Sequence, residues 1–371
     1  MKILAIDTSC DETAAAIVEG RRVLSNVIYS QILIHKKWGG VVPSLAKRAH
    51  EERIDFVIGE TLRKFFGPVS VSFPSVLAPK RSTARRRDPF HLDTQKFINN
   101  IDAIAITQGP GLAVALEVGI KKAKELAKQY HKKLISVNHL EGHIYSPFVQ
   151  NSQGNPKIDF KFPYLALVIS GGHTEFIKFS DHLKYEVIGS TLDDAAGEAL
   201  DKAAKLLGLG YPGGPVIERL AKEVGNIDFH KFPRPMLKSN DLNFSFSGLK
   251  TSFYYFLKKR PHSTEAVDIR QLASSFQEAV FDTVIKKTER AIKEIGINRL
   301  LVGGGVIANL YLRKLFRDLI KKNQGEVLFP SYKYLTGDNA AMIGIVAGFK
   351  AEKKIFVADI EKLDRIPRMI L

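Results

Sequence analysis

Cysteine is all but missing: Cys10 is the only one in 371 residues, so no internal disulfide can form. That scarcity favours a reducing, cytoplasmic location. No apolar run approaches the ~18 residues a membrane-crossing helix needs. MKILAIDTS enters a strand-like run without the apolar core of a secretory leader, so no membrane partner is expected. Acid is scarce beside base, 39 Asp and Glu against 55 Lys and Arg, for a formal charge of +16. A surface that basic attracts polyanions, nucleic acid first among them, although Lys-rich thermostable surfaces reach the same value.

What the chain does contain is one pattern used twice. KILAID, TAAAIVE and RRVLSNVIYS are apolar, partly alternating runs separated by polar turns, which predicts a three-stranded meander. Helical spacing over about 43–66, a strand at Ile101–Thr107, a helix over about 113–130 and strand KLISV follow. NHLEGHIYSPF then opens a helix with Asn138 as its cap. The second half repeats the order with YLALVIS, HTEFIKFS and YEVIGST, a helix over about 194–207, strand RLLVG, a helix over about 307–321, strand EVLF and a last helix from Asp338. Such a repeat implies an α/β protein of two lobes with a cleft at the strand carboxyl ends. The expected division is 1–155 and 156–350, with 351–371 as a tail. Residues Gly208–Gly248 read as a large loop region. Gly67–Asn100 is long for a connection, and a basic insertion near 67–96 carries Lys80, Arg81, Arg85, Arg86 and Arg87 between Pro79 and Pro89. It reads as a solvated tongue or as added contacts to phosphates.

His139 and His143 stand four apart, so a helix stacks them on one face, where they can grip one metal ion. Most such pairs are ordinary core or surface histidines. Asp338 in TGDNAAMIG, at a predicted helix start, offers the oxygen that completes a His-His-carboxylate set, an arrangement common for catalytic zinc or ferrous iron. A zinc peptidase needs glutamate directly after the first histidine. Leu140 stands there, and Glu141 lies about 200° away from His139 around a helix. Glycine-bearing or polar turns occupy matching points of the two repeats: IDTSCDET with Asp11 and Glu12, and VISGGHTEF with Val168, Ile169, Ser170, Gly171 and Gly172. Turns of this kind close backbone N–H groups on a phosphate, or simply make tight hairpins. LVGGGVIANLYLR ends a strand in three glycines, lacks both the GxGxxG spacing and a P-loop lysine, and opens a helix at Asn309. Asn309 either meets a ligand or satisfies the helix start. GYPGGPVIE, with Gly214 and Glu218, follows a helix bearing Asp201; carboxylates there suit ribose hydroxyls or helix caps.

IDTSCDET, GGVVPSLAKRAH, TQGPGL, NHLEGHIYSP, VISGGHTEF, DDAAGEALDKAAKLLGLGYPGGP, FSFSGLKT, GGGVIAN and TGDNAAM occur in this order. From Lys2 to about Lys350 the chain thereby resembles the tRNA threonylcarbamoyladenosine transferases of the bacterial TsaD type. The resemblance implies a duplicated actin-like and Hsp70-like (ribonuclease-H-like) ATPase fold. It implies transfer of threonylcarbamoyl from threonylcarbamoyl-AMP to the exocyclic amine of the adenosine beside the anticodon, in tRNAs reading codons that begin with A. Carried over residue by residue, it makes His139, His143 and Asp338 the ligands of one divalent ion, Fe2+ or else Zn2+. It makes Val168, Ile169, Ser170, Gly171, Gly172, Asp201, Gly214, Glu218 and Asn309 the adenylate contacts, and Asp11 and Glu12 acidic residues near the reacting end. The implied partners are tRNA, a TsaB-like paralogue and a TsaE-like ATPase. Ala14, Val114 and Glu117 depart from the family's usual residues, and the insertion near 67–96 is absent from a typical member. Two rivals share the fold and charge: an ATP-dependent kinase or chaperone-like ATPase, and a non-catalytic tRNA-binding scaffold.

Overall fold

The structure, a computed structural model, describes residues 1–67, 97–259 and 268–371; the basic insertion lies outside them. Two five-stranded sheets repeat one topology. In the first, β1 (Lys2–Asp7), β2 (Glu12–Glu19) and β3 (Arg22–Ser30) form the meander, and β4 (Ala103–Gly109) and β5 (Lys133–Asn138) extend it parallel to β1. In the second, β6 (Tyr164–Ile169), β7 (Thr174–Asp181) and β8 (Lys184–Ser190) form the meander, and β9 (Arg299–Gly303) and β10 (Glu326–Leu328) the parallel side. The central strands read as unbroken apolar runs because both their faces are covered: Ile3 to Ile6 and Tyr164 to Ile169 are buried throughout.

The helices are α1 (Pro43–Phe66), α2 (Ala113–Gln129), α3 (His139–Tyr145), α4 (Ala196–Leu206), α5 (Gly213–Glu223), α6 (Ser247–Lys258), α7 (Ile269–Ile295), α8 (Leu310–Lys322) and α9 (Ala340–Glu352). Helix α5 corrects the expectation of loop over Gly208–Gly248. Its Val216, Ile217, Leu220 and Ala221 sit at helical spacing, and that face packs on α4 and α7. Helices α4 to α8 enclose the core of the second lobe, while α1 and α2 cover the outer face of the first sheet.

A third apolar cluster lies between the sheets, and two helices cross over to build it. Helix α3, from the first half of the chain, touches β6 and β9 of the second sheet. Helix α9, from the second half, lies against β1, β2 and β5 of the first. Residues Ala340 to Ala347 are all buried, so α9 is apolar nearly all round, and a Cβ on its Gly344 would fall 2.5 Å from Val18. The halves are therefore interleaved. The segment beyond α9 also returns to the first lobe: Ile366 N donates to the Gln108 carbonyl (2.9 Å), and Asn138 Nδ2 to that of Ile370 (3.2 Å). Among the described residues no helix is long and apolar enough to cross a membrane.

Candidate metal centre and cleft

Asn138 ends β5 and caps α3. Its Oδ1 accepts from Leu140 N (2.8 Å), while the Glu141 carboxylate accepts from Asn138 N (3.1 Å), a complete capping box. Glu141 also pairs with Lys350 of α9 at 2.7 Å. The glutamate is thus used to lock the two crossing helices together.

The other face of α3 carries the histidines. Nε2 of His139 lies 3.2 Å, and Nε2 of His143 3.4 Å, from Oδ1 of Asp338, which the loop before α9 delivers. Two ligands about 2.1 Å from a tetrahedral ion stand about 3.4 Å apart, so the spacing fits. The histidines are nearly closed to solvent, His139 at 6% and His143 at 0% exposure, while the Asp338 side chain is 21% exposed. Both ring nitrogens of His143 and Nδ1 of His139 are buried without a hydrogen-bond partner. Polar atoms orphaned in that way cost about 1–3 kcal/mol each unless something binds them. A cation does. Asp7, at the end of β1, faces His139 Nδ1 at 3.6 Å and stands where an outer carboxylate orients a ligating imidazole.

Electrostatics prepare the same site. Burial alone would lower the pKa of His139, but Asp338 and Asp7 outweigh it and raise it to about 9. Burial lowers that of His143, with Asp338 only partly offsetting it. Asp338 would be raised by burial, yet the two histidines hold it well below the usual carboxylate range. Without metal at neutral pH, His139 is therefore charged, His143 neutral and Asp338 ionised. Because the metal takes neutral imidazole, loading should release about one proton, all from His139. Metal affinity should rise about tenfold per pH unit from pH 7 and level off near the His139 pKa of about 9. Calorimetric titration with Zn2+ in buffers of different ionisation enthalpy checks this; zero proton release at pH 7 would contradict it.

The turn bearing Asp11 and Glu12 lies beside these ligands. Burial first, then the Asp11 and Asp338 carboxylates, push the Glu12 pKa well above its usual value. Two histidines that sequence reasoning missed hold this turn from beneath. His50 of α1, fully buried, meets the Cys10 carbonyl with Nε2 (3.0 Å) and the Thr13 hydroxyl with Nδ1 (2.7 Å). A carbonyl only accepts, so Nε2 carries the proton and Nδ1 accepts from Thr13. Buried His35 bonds Gln31, whose backbone N–H donates to the Asp11 carbonyl (2.9 Å). The available signal for His50 was its helical register with the buried Ala46, Ile54 and Val57 of α1.

The second-lobe residues fall into two groups. Gly171, Gly172, Gly214 and Gly305 face open space at their Cα atoms, as backbone lining a ligand cleft must. Val168 and Ile169 are buried at the end of β6, and Ser170 Oγ accepts from the N–H groups of Gly172 (3.3 Å) and His173 (3.0 Å). The remaining three tie helix starts. Asp201 Oδ1 accepts from Gly213 N (2.7 Å) and Gly214 N (3.2 Å), Glu218 from Leu310 N (2.8 Å), and Asn309 Oδ1 from Leu312 N (2.9 Å), while Asn309 Nδ2 donates to Gln277. Of the three consecutive glycines, Gly303 and Gly304 serve packing: a Cβ would stand 2.3 Å from the carbonyl oxygens of His143 and Ile169 respectively. Tyr211 and Asp201 share the electrostatic surroundings of Asp11, which places the two lobes' acidic groups across one cleft.

The model of the family "TsaD: tRNA N6-adenosine threonylcarbamoyltransferase" matches residues 22–66 and 93–345. A protein of that name from Endomicrobium trichonymphae is 46% identical over 354 residues, 95% of this chain and 93% of its own. One from Thermosipho africanus is 42% identical over 369 residues, covering 100% and 99%. Among solved structures, HypF of T. kodakarensis shares the fold with a TM-score of 0.59 at 14% identity, over 98% of this chain and 49% of that one.

Proposed function

Because the chain belongs to the tRNA N6-adenosine threonylcarbamoyltransferase family, we propose that it moves threonylcarbamoyl from threonylcarbamoyl-AMP to the exocyclic amine of the adenosine adjacent to the anticodon, in tRNAs reading codons that start with A. The observation that carries the reading is the His139–His143–Asp338 set, with both histidines buried and the aspartate partly open to the cleft. A kinase or chaperone of this architecture holds magnesium on oxygen ligands and gives no reason for two imidazoles here. A divalent ion at this set, ferrous iron with zinc as the alternative, supplies Lewis acidity toward an acyl carbonyl oxygen.

The chain's own residues do the rest. The bare backbone at Gly171, Gly172, Gly214 and Gly305 receives the adenylate, with the Asp201 carboxylate beside it for a ribose hydroxyl. Glu218 and Asn309 fix the start of α8 against that cleft wall. An aryl amine is a weak nucleophile, so holding it in line with the acyl carbon carries most of the rate. Glu12, made more basic by burial and by Asp11, is suited to take the proton the amine loses. A TsaB-like paralogue, a TsaE-like ATPase and a cytoplasmic location complete the reading. The test is nucleoside mass analysis after the chain is mixed with those partners, chemically prepared threonylcarbamoyl-AMP and unmodified tRNA. Threonylcarbamoyladenosine at the position beside the anticodon is expected; its absence with demonstrably loaded metal would sink the proposal.

A further inference from the structure

Between β3 and α1 the chain makes a short helical turn, Ile32–His35, a 3-10 turn, Lys36–Trp38, and the pair Gly39 and Gly40, both at positive φ. Its inner side is fixed: His35 is fully buried, accepts from Val42 N (3.3 Å) and bonds Gln31, itself tied to the Asp11 carbonyl. Its outer side is apolar and bare, with Leu33 79% and Trp38 63% exposed. An indole held out on a rigid base loses no packing and gains none, so folding does not account for it.

Its surroundings say what it faces. The ammonium groups of Lys36, Lys37 and Lys205 are exposed and make no ion pair with the described residues. Lys205 belongs to α4 of the second lobe, yet a Cβ on Gly39 would stand 3.6 Å from its Cε. The loop therefore reaches from the Asp11 turn across the mouth of the cleft. Three unpaired cations around an exposed ring match the two faces of a single-stranded nucleic acid, stacking base and charged phosphate.

We propose that a base of the substrate tRNA stacks on Trp38 while Lys36, Lys37 and Lys205 take the adjoining phosphates. This seats an unpaired loop of tRNA at the mouth of the cleft. The assignment rests on the tRNA-modifying reading above.

Trp38 is the only tryptophan in the chain, so its emission reports the contact directly. An unmodified tRNA transcript should quench it saturably, at the same concentrations that give binding in a filter assay. Trp38→Ala should weaken that binding roughly 5- to 100-fold, whereas Trp38→Phe retains most of it. Serine at Lys36, Lys37 and Lys205 together should flatten the slope of log affinity against log salt by about 0.7 per lost phosphate contact. Metal content and melting temperature should stay put in every variant, since these side chains are exposed. Full tRNA binding with unchanged emission and unchanged affinity in Trp38→Ala would overturn the contact, and would give the surface to a protein partner. A wild-type chain that binds no tRNA in the filter assay would instead bring down the tRNA reading, and this contact with it.

Discussion

His143→Ala is expected to strip the metal and lower threonylcarbamoyl transfer at least roughly 100-fold. That is the upper end of what losing even an outer partner of a metal site does. His143 reaches Asp338 from a fully buried position, and no other described donor stands ready to replace it. The fold should survive. Removing two buried, unpartnered nitrogens relieves a cost of about 1–3 kcal/mol each, which offsets much of the cavity left behind. The two effects separate in one experiment: a chelator should lower the melting temperature of the wild type and leave that of His143→Ala unmoved, because only the former has a bound ion to lose. A variant that keeps stoichiometric metal and full transfer would refute the assignment.

Gly303→Ala is expected to damage the same centre from the opposite lobe. The added Cβ would stand 2.3 Å from the His143 carbonyl oxygen and 3.4 Å from its Cβ, backbone that cannot swing aside. Relief requires α3 to shift, at a cost of roughly 1–3 kcal/mol in stability together with loosened metal. Gly305→Ala, two residues on, meets nothing within 4 Å, so its stability should hold while adenylate binding falls. Thermal melts and metal analysis of both variants check the contrast. Equal stability in the two would mean that β9 does not brace the metal helix.

The candidate metal ligands were legible because each leaves a local signature: i, i+4 spacing for the histidines, a helix start for Asp338, a capping asparagine ahead of both. The paired meanders were legible for the same reason, since alternation over five or six residues is local. What was hidden depends on the partner surface. Helix α7, the longest element, was not anticipated because its buried face carries Ser274, Ser275, Gln277, Thr283, Lys287 and Thr288, which blur the apolar period. Asn309 offered two roles in the sequence, and the structure shows it bonded to Leu312 and Gln277 at a helix start. Asp7 was legible only as part of the IDTSCDET turn, with nothing to mark it as a partner of the histidines. It reads as the end of a strand, and only the approach of α3 turns it toward His139.

The crossing of α3 and α9 carries a consequence for how the chain is made. On the ribosome an amino-terminal lobe commonly folds while the rest is still being translated. Here the inner face of the first sheet has only α3, on its β4–β5 side, as cover until α9 exists, and Asp338 arrives immediately before it. The nascent first lobe must therefore wait half-dressed, its apolar strands open to chaperones, through the synthesis of almost everything that follows. Metal cannot be captured early either, since two histidines without their carboxylate make a weak site. Maturation of this protein is then one late event in which core closure also completes the His139–His143–Asp338 set.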